Sequence, residues 1–368
     1  MRIGVPREIK PQEGRVALLA GEVRELADDG HEVFVERGAG ILSGVTDADY
    51  AAAGATLLDD GTAVYQSARL IAKVKEVLPQ EYGALRPDHI VMTNIHGALN
   101  RNEVDRFLEV GLTAIALEDT HRYGSPNCAL AGEIGAFEGL RLVFAPNGGT
   151  GRHLFTHFGA PPIEAAVVGL GNVGRGALRT LLAFDVDVIG LDIDRGARGR
   201  AELDWSGRRF RSGDIDILSG LLDRLDLVIN CVLWPKHRND HLVNRADLGR
   251  MKPGAAIIDI SCDEAGAIET SRPTSWRDPV YLEEGIRHFC VDNIPGAVPV
   301  AASAGYARAI LPHIRHVAGE GALEACRHDP WLRRGLTCAD GTLTHAETAR
   351  IQKRDHVPVD RFLGIEAA

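Results

Sequence analysis

The chain is expected to be an α/β protein of two doubly wound parallel-sheet domains, a Rossmann dinucleotide-binding domain inserted into a discontinuous substrate domain. Three observations predict it. Strand-length apolar runs alternate with helical patterns through residues 1–120, and a second alternation of the same kind begins at Pro162. Such alternation indicates parallel sheets with helices on both faces. The run Ala165-Ala166-Val167-Val168-Gly169-Leu170-Gly171-Asn172-Val173-Gly174 opens the second alternation rather than the first. The first half is therefore expected to bind something other than the dinucleotide.

The elements follow in order. In the first half, strands are expected at 2–5, 32–36, 70–77, 90–95 and 112–117, with helices at 21–29, 47–53 and 102–110. Residues 127–144, rich in Ala, Gly and Leu, read as a long helix crossing towards the second domain, and Asn147-Gly148-Gly149-Thr150-Gly151 as a loop at the boundary. The second unit runs as strand 165–169, helix 174–184, strand 186–191, a polar stretch, a helix near 216–223, strand 225–229, a helix near 245–250, strand 255–260 and strand 287–291. Five strands in that order make a Rossmann-type sheet. A helix over 300–314 returns to the first domain, so the domains are expected at 1–135 plus 301–368 and at 136–300, with a hinged cleft between them.

The mid-chain run is an apolar strand, then G-x-G-x-x-G, then a helical pattern, the context that makes this short motif informative. Gly169 opens it, and Gly171, Asn172, Val173 and Gly174 complete it. Glycines there permit a tight turn and close approach of a pyrophosphate to the helix N-terminus. Asp192, eighteen residues after Gly174 and at the end of the next strand, stands where an acid binds the adenosine ribose. A carboxylate there repels a 2′-phosphate and favours NAD. NADP stays open through Arg195, Arg198 and Arg200, which follow closely and read equally as a solvated face.

With 368 residues, 45% hydrophobic and 25% charged, the composition is that of an ordinary globular protein with room for two cores. A net charge of −10 opposes a nucleic-acid or anionic-membrane partner. No apolar stretch approaches the length of a membrane span and no secretory signal opens the chain, so a cytoplasmic location is expected. Six scattered cysteines without a C-x-x-C pair argue against a disulfide framework or zinc site.

Ligands of open parallel sheets bind beyond the carboxyl ends of the strands. In the first domain Arg15 follows strand one, Lys75 and Glu76 end the run Leu70–Glu76, Asn94 and His96 close the next strand, and Glu118 the one after. Arginine and lysine suit a carboxylate, and histidine suits proton transfer near neutral pH. Singly, each also fits a bland role: a surface charge, a rim ion pair or a cap. In the second domain Asp263 follows the fourth strand, Asp292 and Asn293 follow the fifth, and Cys231 follows the third.

These residues together resemble the alanine dehydrogenase and lysine-forming saccharopine dehydrogenase superfamily over nearly the whole chain. The resemblance rests on Pro6-Arg7-Glu8 with Arg15-Val16-Ala17-Leu18, on Lys73-Val74-Lys75-Glu76, on His96-Gly97-Ala98, on Met251-Lys252-Pro253-Gly254, and on the tail around Gly341-Thr342-Leu343-Thr344-His345. It implies an NAD-dependent oxidoreductase acting on an amino-acid C–N bond through an iminium. Arg15 and Lys75 would hold the substrate carboxylate, His96 would serve as acid/base with Lys75 as a possible partner, and Asp263 would face them. Glu76, Asn94 and Glu118 would line the substrate site. The family often assembles as dimers or hexamers, so a homo-oligomer is expected.

Finer features lean towards the saccharopine- and opine-type relatives, which join a 2-oxo acid to an amino acid's amine. Trp234 and Asp292-Asn293-Ile294-Pro295 resemble those relatives. Where alanine dehydrogenases carry a phenylalanine two residues before the histidine this chain has Asn94, and where they carry Met-Ser before the glutamate of the crossing helix it has Ala131-Gly132. Smaller and more polar residues there predict a substrate larger and more polar than alanine. Deamination of a primary amino acid such as alanine is the alternative within the class, and a non-catalytic NAD-binding module the alternative outside it. The trio Arg15, Lys75 and His96 favours an enzyme.

Overall fold

The computed structural model describes residues 1–121, 126–235, 238–261 and 266–365. It forms two compact units, Met1–Asn127 with Val298–Ala368, and Cys128–Ala297. Strands are numbered along the chain.

In the first unit β1 (Arg2–Val5), β2 (Glu32–Glu36), β3 (Thr56–Leu58), β4 (Leu70–Ala72), β5 (Ile90–Thr93) and β6 (Thr113–Ala116) are all parallel, in the order β3-β2-β1-β4-β5-β6. The order reverses between β1 and β4, the switch point where such a sheet leaves a crevice beyond its strand ends. Alternate side chains of each strand enter opposite layers. Leu70 and Ala72 join Ile3, Val5 and Met92 in one core, whereas Ile71 joins Val91 and Ala114 in the other. Burial on both faces explains why these strands read as unbroken apolar runs.

In the second unit β7 (Glu164–Val168), β8 (Asp187–Leu191), β9 (Phe210–Gly213), β10 (Leu227–Asn230), β11 (Ala256–Asp259), β12 (Val280–Glu283) and β13 (Ile286–Phe289) run β12-β13-β11-β10-β7-β8-β9. All neighbours are parallel except β12 with β13. The succession β9-β8-β7-β10-β11-β13 is the Rossmann order with its switch at β7 and β10. Back in the first unit, β14 (Leu336–Ala339) adds antiparallel to β6 and β15 (Thr342–Leu343) to β14.

The expected α/β class with two doubly wound sheets is what the chain adopts. Five strands escaped the sequence reading: β3, β9, β12, β14 and β15. β3, β9 and β12 are three or four residues long, and none of their residues is fully buried. An edge strand needs no continuous apolar run. β4 also stops at Ala72 instead of continuing to Val77, so Lys73–Val77 is loop beyond the sheet.

The crossing helix is Cys128–Leu142, and all of it belongs to the second unit. A boundary at residue 135 would cut it. Its register is locked against helix Asn172–Ala183 by glycines in contact with backbone. A Cβ on Gly132 would lie 1.9 Å from the Val173 carbonyl oxygen, and one on Gly176 would lie 2.0 Å from that of Ala129. The 147–151 segment, expected as a boundary loop, likewise lies within this unit, where Gly149 N–H donates to Phe144 O at 3.0 Å.

Candidate functional site

The first unit gathers its polar residues past the carboxyl ends of β1, β4, β5 and β6, on both sides of its switch point. Arg15, in the segment after β1, is 4% exposed. Its Nε and Nη2 donate to the two oxygens of Glu13 at 2.8 and 2.6 Å, a bidentate fork, and its Nη1 donates to the side-chain amide oxygen of Asn127 at 3.1 Å once that amide is oriented to satisfy both its donors and acceptors. Glu13 therefore fixes the guanidinium plane. Burial works against the charge on Arg15, but the Glu13 fork outweighs it and raises the pKa further.

Lys75, three residues beyond β4, is 8% exposed. Its backbone is held from two sides. Glu8 accepts from Val74 N–H at 2.6 Å and Lys75 N–H at 3.3 Å, and the Thr93 hydroxyl donates to Lys75 O at 2.6 Å. Glu8 also meets the buried Lys73 ammonium at 3.2 Å, which in turn meets Glu81 at 2.9 Å. Burial pushes the neighbouring Glu76 carboxyl up, but Lys75 and Lys10 overcome it and hold it below the usual range. The Lys10 ammonium donates to Glu76 at 2.8 Å.

At the end of β5, Asn94 is buried, its amide nitrogen donating to Val74 O at 2.8 Å and its Oδ1 lacking any hydrogen-bond partner. His96 follows with φ at 47°, left-handed backbone that is uncommon outside glycine and is maintained only where the surroundings fix it. Glu118 does the fixing. Its two oxygens accept His96 N–H at 2.6 Å and Ile95 N–H at 3.1 Å, and Oε1 lies 3.7 Å from His96 Nδ1. Behind them, Asn100 donates to Ile95 O at 2.8 Å and Gln352 to Gly97 O at 2.6 Å. The imidazole remains 45% exposed, accessible to a small molecule. Burial raises the Glu118 carboxyl pKa, with His96 acting against it.

In the second unit the glycine loop joins β7 to helix Asn172–Ala183. Gly169 has φ at 93°, and a Cβ on Gly174 would lie 1.8 Å from Gly169 O, so neither can carry a side chain. Gly171 is the N-cap and borders open space, and Asn172 and Val173 begin the helix. That is the cradle a pyrophosphate requires: a helix N-terminus approached without steric obstruction. Asp192, just past β8, accepts Leu170 N–H at 2.7 Å and Asp194 N–H at 2.8 Å, tying its carboxylate to the loop. A cavity of about 390 Å³ is lined by Gly169, Gly171, Asp192, Cys231 and Trp234, with Ile193, Ile215 and Leu242 as apolar wall. Burial raises the Cys231 thiol pKa, so it serves as a neutral wall group. Arg198 is engaged by Asp192 O and Asp214, and Arg200 by Asp194, which leaves two of the three arginines committed to structure. Among the residues after β13, Asp292 is exposed, and Asn293 is buried with its carbonyl accepting Trp276 Nε1–H at 3.0 Å. Asp263 lies outside the described residues.

The sequence reading missed Glu8 and Glu13. Their role is to hold the backbone of Lys75 and the guanidinium of Arg15, and only the tertiary fold shows it. A glutamate two residues before a buried arginine was the available signal. Gly132 requires a correction. It lies against the Val173 carbonyl within the helix crossing, so a small residue there serves packing and does not enlarge a substrate pocket.

The alanine dehydrogenase/PNT family models match residues 4–130 with their N-terminal domain and 136–346 with their C-terminal domain. The alanine dehydrogenase of Mycobacterium tuberculosis (strain ATCC 25618 / H37Rv) is 35% identical over 356 residues, 95% of this chain and 96% of that protein. The chain belongs to the alanine dehydrogenase/PNT family. The Bacillus subtilis (strain 168) alanine dehydrogenase is 33% identical over 100% of this chain and 99% of its own length. A solved L-alanine dehydrogenase superposes with a TM-score of 0.88 at 33% identity, covering 96% of this chain and 99% of that one. A transhydrogenase from Sinorhizobium meliloti, 23% identical with a TM-score of 0.77, shares the fold. The alanine dehydrogenase/PNT chain described here is thus an NAD-dependent amino-acid dehydrogenase with a Rossmann-type cofactor domain. The leaning towards saccharopine- and opine-type relatives gives way, because these full-length relatives are alanine dehydrogenases. Among the described residues no helix is long and apolar enough to cross a membrane.

Proposed function

We propose that the protein oxidatively deaminates a small primary L-amino acid and, in reverse, reductively aminates the 2-oxo acid with ammonia. The observation that carries this reading is the row of Arg15, Lys75 and His96 past the adjacent strands β1, β4 and β5, each with its backbone or guanidinium held by a glutamate, two of them buried and the third, Glu118, half-buried. A fixed guanidinium fork with a nearby ammonium recognises a carboxylate. An exposed imidazole on a rigid backbone can move a proton.

NAD supplies the hydride acceptor. In the deamination, Arg15 and Lys75 hold the α-carboxylate and so orient the substrate's Cα–H and amine. Once the ammonium has lost a proton to solvent, loss of hydride from Cα of the neutral amine gives the iminium. His96 then takes a proton from the water that adds to the iminium carbon and returns it to the nitrogen as ammonia leaves. The sum is amino acid, NAD⁺ and water giving 2-oxo acid, NADH, ammonium and a proton. Glu118 acts through His96 by holding its backbone.

Asn94 supports a second, narrower reading: a substrate side chain with a hydrogen-bond donor. A buried amide oxygen without a partner is costly, and a hydroxyl-bearing amino acid would satisfy it. NAD⁺ reduction measured with L-alanine, L-serine and larger L-amino acids separates these. His96→Gln should lower kcat by about 100-fold or more while NADH binding by fluorescence is retained. Full turnover in that variant would refute the assignment of His96.

A further inference from the structure

We propose that the first unit carries a site for a divalent transition metal ion, of the zinc class, built from His316, Glu320 and His328. His316 and Glu320 stand one turn apart in the last part of helix Pro299–Glu320, and His328 ends helix Ala322–His328. The two helices meet at Gly321, whose φ of 87° breaks the helical path. One nitrogen from each histidine and one glutamate oxygen all lie within 4.8 Å of one another. None of the three belongs to the candidate catalytic site.

The spacing fits a tetrahedral ion. Atoms bound about 2.1 Å from zinc at tetrahedral angles stand roughly 3.4 Å apart. Glu320 Oε2 lies 3.4 Å from His316 Nε2, which already matches, and 2.8 Å from His328 Nδ1, which has to open.

The groups behind the histidines strengthen the argument. A metal-binding imidazole is usually oriented by a carboxylate on its other nitrogen. Asp329 Oδ2 lies 3.8 Å from His316 Nδ1, while its Oδ1 accepts Trp331 N–H at 2.7 Å and is thereby fixed. Glu324 Oε1 lies 3.6 Å from His328 Nε2. Both candidate ligand nitrogens are thus backed by a carboxylate on the far side of the ring. Two imidazoles and one carboxylate select zinc, cobalt or nickel over magnesium or calcium, which demand more oxygen ligands. A water would complete the sphere, and the ion would bridge the two helices across Gly321.

The test is Zn²⁺ and Co²⁺ titration of the metal-stripped full chain, alongside His316→Gln, Glu320→Gln and a His316→Gln/His328→Gln double variant. One ion per chain is expected, with tetrahedral Co²⁺ d–d absorption and a Tm raised by roughly 5 °C under saturating Zn²⁺ but unmoved by Mg²⁺. Each variant should weaken binding tenfold or more and retain metal-free turnover, which shows that it has folded. If the three residues form only an exposed ion-pair network, the wild type will not respond to Zn²⁺. That result, or equal binding by the double variant, overturns the proposal.

Discussion

Glu118 holds His96 by its backbone rather than by its ring alone, accepting the His96 N–H at 2.6 Å while its Oε1 lies 3.7 Å from Nδ1. The left-handed φ of 47° at His96 depends on that bond. In Glu118→Gln one of the two acceptors becomes a donor facing a backbone N–H. Turnover should fall about tenfold with little change in the KM for the 2-oxo acid, because the imidazole moves while the carboxylate site stays. The pH profile of kcat should shift too, which a purely structural effect would not produce. Steady-state kinetics from pH 6 to 10 checks both.

Glu13→Gln should act on binding. The Glu13 side chain is wholly buried beside an arginine 4% exposed, and breaking one partner of such a pair costs about 3 kcal/mol or more. The variant should lose several degrees of Tm and raise the KM for the 2-oxo acid roughly tenfold, with kcat less affected. An unchanged KM would mean that the fork does not position Arg15 for substrate.

Gly132→Ala tests the helix crossing. The new Cβ would overlap the Val173 carbonyl, and overpacking of this kind costs about 1–3 kcal/mol. NADH affinity should fall, since Val173 belongs to the helix that begins at the glycine loop, while the ranking of amino-acid substrates stays the same. A changed ranking would restore Gly132 to the substrate pocket.

Much of this was legible in the sequence, and the reasons are local. The run 165–174 and the apolar strands buried on both faces carry their pattern in consecutive residues. Arg15, Lys75, His96 and Glu118 could be placed past strand ends from the sequence, where such sheets bind ligands. The short edge strands β3 and β9 bury too little to announce themselves. Glu8 and Glu13 look like surface charges until the fold sets them against the Val74–Lys75 backbone and Arg15, and Gly132 looks like a pocket residue until Val173 lies against it.

Glu103 should make stability depend on pH. It is 2% exposed, with one oxygen accepting Val77 N–H at 2.6 Å and the other without a partner. Burial, reinforced by Glu76 and Glu118, holds its carboxyl well above the ordinary 4.5. The folded state thus binds a proton that the unfolded state releases from about pH 4.5 upward, and stability falls as pH rises through that window. Glu103→Gln removes the titration. Its Tm should exceed that of the wild type at pH 8 and the gap should close by pH 4, as thermal melts across that range would show.

The central claim is tested most directly by NADH oxidation with pyruvate and other small 2-oxo acids, each offered ammonia or an amino acid as the amine. Turnover with ammonia as the sole amine is the predicted result. Turnover that requires an amino acid as the amine would contradict the account and return the protein to secondary-amine chemistry.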